Sequence, residues 1–146
     1  MTNETRPLAT RVVDVMMEGD AFSQWLQIER LEEGPGHCTL RMLVREEMVN
    51  GFHIAHGGIS YALADSALAF ASNAHGIKAV SIETSISHLR PVQVGDILTA
   101  MATEDNLGKR TGVYRVEVMN QQGRLVALFK GTVFRGGDPW FPEEIF

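Results

Sequence analysis

The sequence predicts an α+β domain in which one antiparallel sheet curls around a single long helix. Three observations point there. Residues Gly57 to His75 read as one helix that is apolar on nearly every side, with Leu63, Phe70 and an alanine series (Ala62, Ala64, Ala67, Ala69, Ala71, Ala74). Such a helix must be wrapped, and small residues let strands approach it closely. Strand-like alternation flanks it before and after. Turn signals at Gly34-Pro35-Gly36, Asn106-Leu107-Gly108 and Asn120-Gln121-Gln122-Gly123 join those strands as hairpins, which makes the pairing antiparallel.

Taken in order, Leu8, Val12, Val15 and Met16 fall at helical spacing, and Gly19-Asp20 stops that helix. Residues 21–26 read as a further helical turn and Gln27 to Glu33 as a strand. Cys38 to Arg45 alternates, with Cys38, Leu40, Met42 and Val44 on one face. Met48 to Ala55 is a loop containing Asn50-Gly51. The central helix follows, about 28 Å long at 1.5 Å per residue, and Gly76 is a natural residue to close it. Lys78 to Leu89 sets Val80, Ile82, Thr84 and Ile86 against Ser81, Glu83, Ser85 and Ser87. Ile97 to Glu104, Thr111 to Met119 and Leu125 to Arg135 complete the sheet, and residues 136–146 read as an irregular tail. The whole, 1–146, reads as one domain with an N-terminal helical segment at 1–19.

Bulk composition narrows the class. Hydrophobic residues at 45% and charged residues at 21% are ordinary for a globular chain of 146 residues. The net charge of −5 argues against nucleic acid as the main partner. The lone Cys38 excludes an intramolecular disulfide and a multi-cysteine zinc site. No apolar run of membrane-span length or signal-peptide type is present, so a cytoplasmic location is expected.

The segment His56-Gly57-Gly58-x-x-x-x-Leu63-Ala64-Asp65 resembles the signature of hotdog-fold acyl-CoA thioesterases, and within them the phenylacetic acid degradation type. The likeness continues through Leu89-Arg90-Pro91, Gly95-Asp96-x-Leu98-x-Ala100, Gly108-Lys109-x-Thr111-Gly112-Val113-Tyr114 and Val126-Ala127-Leu128-Phe129-x-Gly131, spanning roughly residues 20–136. It implies the hotdog fold, no cofactor beyond coenzyme A as part of the substrate, and hydrolysis of phenylacetyl-CoA or ring-hydroxylated relatives. Related subgroups take medium-chain or hydroxybenzoyl thioesters, several with Glu where this chain has Asp65. A non-catalytic acyl-CoA-binding regulator on the same fold would not need Asp65.

Thioester hydrolysis needs donors for a developing oxyanion and a group that attacks or activates water. A helix N-terminus offers unpaired N–H groups and a positive dipole end, and Gly57 and Gly58 leave room for a thioester there. Asp65 sits among Leu63, Ala64, Ala67 and Leu68, an expensive place for an acid without a purpose. It fits either direct attack or general-base activation of water. The resemblance assigns Asn50 and His56 to orienting the thioester and supporting the helix start, and Ser81 to the neighbourhood of the attacking water. Asn50-Gly51 is equally a turn pair. Arg90, Lys109 and Arg110, at strand ends and turns, are candidates for the coenzyme A phosphates. Phe52, Tyr61 and Phe70 are candidates for an acyl pocket. His53-x-x-His56 alone is too weak a pattern for a metal, and none is expected.

One constraint is geometric. Gly57 and Asp65 are eight residues apart, about 12 Å along the axis, too far to serve one carbonyl. Two antiparallel helices would bring each Asp65 to the other chain's Gly57. A homodimer with two shared sites is therefore expected, with pairing of dimers into tetramers as its extension.

Overall fold

The computed structural model describes residues 5–144. The elements are α1 (Leu8–Gly19), α2 (Ala21–Trp25), β1 (Glu29–Gly34), β2 (His37–Leu43), α3 (Gly57–Asn73), β3 (Ile77–His88), β4 (Ile97–Leu107), β5 (Thr111–Met119) and β6 (Leu125–Pro139), with a 3-10 turn at Glu46–Met48. All six strands form one sheet in the order β1-β2-β4-β5-β6-β3, every neighbouring pair antiparallel. This is the hotdog architecture: the sheet is the bun and α3 the filling. Domain-wide expectations that reach residues 1–4 and 145–146 fall outside the described residues.

Burial explains the wrapping. Leu63, Ala64, Ala67, Leu68, Phe70 and Ala71 of α3 are fully buried against Leu40 and Met42 of β2, Leu98 and Ala100 of β4, Tyr114, Val116 and Val118 of β5, and Phe129 and Val133 of β6. The alanines allow close approach, and where the sheet comes nearest the strand itself has no side chain. A Cβ at Gly131 of β6 would sit 2.5 Å from a Leu68 methyl. Gly76, with φ of +94°, turns the chain out of the helix into β3.

Three expectations need correction. In α1 the inward positions are Ala9, Val12 and Val13, whereas Val15 is exposed, because α1 lies against α3 and β1 on the stripe opposite Val15. In β3 the alternation does not run unbroken. A bulge between Ser81 and Glu83 shifts the register against β6, so Thr84 and Ile86 are half-buried while Val80 and Ile82 stay 66% and 60% exposed. The tail is not irregular throughout: β6 runs on to Pro139, which pairs with Ile77, and Trp140 N–H then bonds Gly76 O at 2.9 Å.

The two sheet edges differ. The β1 edge is tied to α1 by Arg30, which meets Asp14 at 2.8 Å. The β3 edge carries the exposed Val80 and Ile82 and no neighbouring strand.

Candidate active site

The loop before α3 is held from both sides. Asn50 N–H bonds Ile54 O at 2.8 Å and His53 N–H bonds Asn50 O at 3.0 Å. The Asn50 side-chain oxygen accepts from Phe52 N–H at 2.9 Å, an Asx turn. His53 takes a positive φ of 62°. Ala55 N–H reaches Val92 O and His56 N–H reaches Met48 O, each at 2.8 Å. The loop therefore delivers His56 to the helix mouth in a fixed position.

His56 is the N-cap of α3. Its Nδ1 accepts the Gly58 N–H at 2.8 Å, which places the imidazole proton on Nε2. Ile59 N–H bonds His56 O at 2.9 Å. The Gly57 N–H, among the described residues, meets no acceptor. It is the donor that the cap leaves over, at the positive end of a 17-residue helix.

Gly57 opens on a cavity of about 340 Å³ lined by Asn50, Ser60, His88 and Arg90, among others. The His88 ring lies across it: a Cβ on Gly57 would stand 3.1 Å from His88 Nε2. Among the described residues no group bonds Asn50 Nδ2, so the side chain serves the turn with the oxygen end of its amide beside this cavity. Arg90 donates to Leu125 O at 2.5 Å.

Asp65 is not in that cavity. It is half-buried and lines a second concavity with Asp20, Phe22, Ser23, Gly58, Tyr61 and Ser66. Burial first, and then the negative charge of Asp20, push its carboxyl above the ordinary value of 3.8. Eight residues advance the helix by two turns and about 80°, so Gly57 and Asp65 face different ways as well as lying apart. The structure thus keeps the two predicted groups in separate concavities of one subunit.

The remaining predicted residues divide. Gly58 lines the Asp65 concavity. Ser81 is exposed and pairs across the ladder with buried Val133, which turns its side chain toward the helix side of β3. Lys109 and Arg110 form the β4–β5 turn. That turn lies beyond Glu104, which contacts His75 at the C-terminal end of α3, so within one subunit they are remote from Arg90 and Gly57. Of the candidate acyl-pocket aromatics, Phe52 is 85% exposed and Phe70 is core. Tyr61 lines the Asp65 concavity, with its hydroxyl bonded to Thr84 Oγ1 and its ring edge-on to Phe129. Sequence reasoning missed His88, Ser60 and Asp20. Only His88 carried a signal, standing directly before the Leu89-Arg90-Pro91 segment.

Two further chemistries find no support. Cys38 is buried, and burial pushes its thiol up to about 12, so it supplies no thiolate. Among the described residues no three His, Cys, Asp or Glu side chains converge on a common point. No described helix is long and apolar enough to cross a membrane.

Comparison with known proteins decides the class. The family model of the thioesterase superfamily matches residues 52–127, the stretch from the end of the loop through α3, β3, β4 and β5 to the first residues of β6. The chain belongs to the thioesterase superfamily. It is an enzyme of the thioester-hydrolase class. A relative named acyl-coenzyme A thioesterase PaaI from Escherichia coli is 43% identical over 122 residues, covering 84% of this chain and 87% of the relative. The solved structure of E. coli PaaI, from the phenylacetic acid degradation operon, superposes with a TM-score of 0.88, covering 90% of this chain and 96% of the other at 40% identity. A Streptococcus mutans protein solved bound to acetyl CoA is 28% identical, with a TM-score of 0.74 over 77% of this chain and 90% of its own.

Proposed function

We propose that this chain hydrolyses acyl-CoA thioesters to the free acid and coenzyme A, with phenylacetyl-CoA or ring-hydroxylated phenylacetyl-CoA as its substrates. The observation that carries the reading is Gly57 at the positive end of α3, lining an open cavity with its N–H unpaired among the described residues. The similarity to E. coli PaaI and to a protein that binds acetyl CoA supports the substrate class.

The thioester carbonyl oxygen accepts from Gly57 N–H, with the Asn50 amide as a second donor. Charge that develops on that oxygen meets a fixed dipole rather than water that must reorganise. His56 takes no part in the bond changes; by capping Gly58 it keeps the Gly57 N–H as the free donor. The Asp65 carboxylate attacks the carbonyl carbon, expelling coenzyme A thiolate and leaving an anhydride for water to open, or it takes a proton from the attacking water. Either route consumes one water and yields one acid and one thiol. Asp65 is suited to both because, among the described residues, no cation lines its concavity in one subunit to quench it.

The Asp65 in question is the partner's. Antiparallel association of two α3 helices closes the 12 Å gap, and the free β3 edge with exposed Val80 and Ile82 supplies a surface for it. Antiparallel pairing of two β3 strands sets the start of one against the end of the other. That arrangement would carry Lys109 and Arg110 of one chain toward the Arg90 end of its mate, where the coenzyme A phosphates need cations. Pairs of dimers then make the tetramer.

The test is a panel of acyl-CoA thioesters followed by thiol release, with Asp65→Asn alongside. Phenylacetyl-CoA is expected to exceed octanoyl-CoA in kcat/KM, and Asp65→Asn to lower kcat at least about 10²-fold. A faster octanoyl reaction overturns the acyl preference; an undiminished Asp65→Asn overturns the role of the acid. Full activity in a species that sediments as a monomer would sink the shared site.

A further inference from the structure

The corner between α1 and α2 reaches the concavity of Asp65, and the way it is fastened there is specific. Asp20 closes α1 and caps α2. Its Oδ1 accepts the Ser23 N–H at 2.9 Å and its Oδ2 accepts the Ser23 hydroxyl at 2.7 Å. The Ser23 hydroxyl also meets the Ser66 hydroxyl at 2.8 Å. Since the Ser23 proton is committed to the carboxylate, Ser66 must be the donor in that second bond. The result is a directed chain from Ser66 through Ser23 to Asp20. Ser23, the middle link, is fully buried, while Asp20 and Ser66 at the two ends are half-buried. Ser66 is the residue after Asp65, which ties the acid's own helix turn to the second carboxylate.

We propose that Asp20 is a positioning residue for Asp65, a fixed negative charge clamped beside it through Ser23 and Ser66. The proposal rests on the reading that Asp65 is the catalytic carboxylate. Helix capping alone would not require an acid: serine, threonine or asparagine caps as well. Nor would it require the charge to face a half-buried carboxylate whose concavity has no cation among the described residues lining it in one subunit. The titratable groups lining the concavity beside Asp65 are Asp20, from the α1–α2 corner, and Tyr61, from α3 itself. Asp20 is the one among them that contributes to raising the Asp65 carboxyl. A carboxylate with greater proton affinity is a stronger base and a stronger nucleophile while it remains ionised. The cost is activity lost at the acid end of the pH range.

Asp20→Asn removes the charge. The amide oxygen still accepts from Ser23 N–H, and asparagine is as good an N-cap as aspartate, so the fold is preserved, while the amide NH2 now donates to the Ser23 hydroxyl and turns that hydroxyl toward Ser66. Two measurements are made on wild type, Asp20→Asn and Asp20→Glu: the pH profile of kcat/KM with phenylacetyl-CoA, and a 13C NMR titration of the aspartate carboxyls, with Asp65 assigned by its absence in Asp65→Asn. Asp20→Asn is expected to move both the Asp65 midpoint and the acid limb of kcat/KM to lower pH. Asp20→Glu, which restores the charge, is expected to return both toward wild type. An unmoved Asp65 midpoint in Asp20→Asn, with Asp65→Asn inactive, overturns the positioning role alone. Turnover retained in Asp65→Asn overturns the catalytic reading and the positioning role with it.

Discussion

The two ends of α3 use the same residue types in opposite ways. At the C-terminal end the Asn, His and Tyr side chains are matched, although the buried Nε of nearby Arg135 has no partner among the described residues. Buried Asn73 donates from Nδ2 to Ala69 O at 2.8 Å and Ala79 O at 3.0 Å, and accepts at Oδ1 from Ala79 N–H and Trp140 Nε1–H, each at 2.9 Å. His75 and the Tyr114 hydroxyl both meet Glu104 Oε1 at 3.0 Å. At the N-terminal end Asn50 spends only its oxygen, Gly57 N–H is unpaired, and the His88 ring stands over a cavity. Saturated polar groups mark architecture; under the proposed reading, the deficit at the helix mouth is the place left for substrate. The carboxylates repeat the contrast. Burial pushes Asp14 up, but hydrogen bonds and charge from Arg30 and Arg6 outweigh it and hold that carboxyl low, whereas Asp65 has no cation and stands high.

The largest expected effect breaks the active end and then restores it. Gly57→Val and Asp65→Asn should each lose at least about 10²-fold in kcat. Refolded together, they should regain activity. In a mixed dimer with shared sites one site carries both lesions and the other carries neither. If each site were built from one chain, every site would hold one lesion and the mixture would stay inactive.

Next in size is a change at the closed end. Asn73→Ala leaves the half-buried Ala79 N–H and C=O and the Trp140 indole without their partner, and should cost about 3 kcal/mol of stability in denaturant unfolding. Thioester turnover by the remaining folded protein should stay within about twofold of wild type, since nothing at Gly57 moves. A large loss of kcat without a loss of stability would erase the distinction between the ends.

Gly57→Ala is the smaller mirror image. The new methyl would stand 3.1 to 3.3 Å from atoms of the exposed His88 ring, which can swing aside. Stability should change by less than about 0.5 kcal/mol, since alanine suits a helix better than glycine. Activity should fall by about tenfold, because the methyl and the displaced ring crowd the free N–H. Comparing Tm with kcat/KM separates the two effects.

How far the sequence was legible follows the same division. The closed parts obey local rules. Alanine spacing, Gly76 and the Asn120–Gly123 turn each point to one element, and Cys38, Leu40, Met42 and Val44 alternate without interruption into the core. The bulge at Ser81–Glu83 escaped because period-2 reading assumes no inserted residue. The end of β6 escaped because Gly136, Gly137 and Pro139 look like breakers. Pro139 nevertheless closes the strand at a terminal position, where a missing N–H is tolerated. At the site, Gly57 and Asp65 announced themselves by being out of place in an apolar helix. Asp20 read only as a helix stop, and Ser60 only as a small residue beside the glycines. What they face is decided by tertiary packing between segments some forty residues apart.

The last expectation concerns stability against pH, where the two carboxylates should slope in opposite directions. The folded-state midpoint of Asp65 lies above its ordinary value of 3.8. Between those two values the native chain holds more protons than the unfolded one, so stability falls as pH rises through the window and stays lowered above it. Asp65→Asn removes that penalty. Its Tm at pH 7 should exceed wild type by a few degrees, and the gain should shrink as pH falls toward 3.8 and below. Asp14 has its midpoint lowered from 3.8, so its stabilisation is present above that value and is lost as pH falls through the folded midpoint. Asp14→Asn should therefore lower Tm at pH 7, with the deficit fading in acid. Thermal melts of both variants between pH 3 and pH 7 check the pair. Parallel slopes would mean that Asp65 is a paired structural acid like Asp14, and the open end of the helix would lose its distinction.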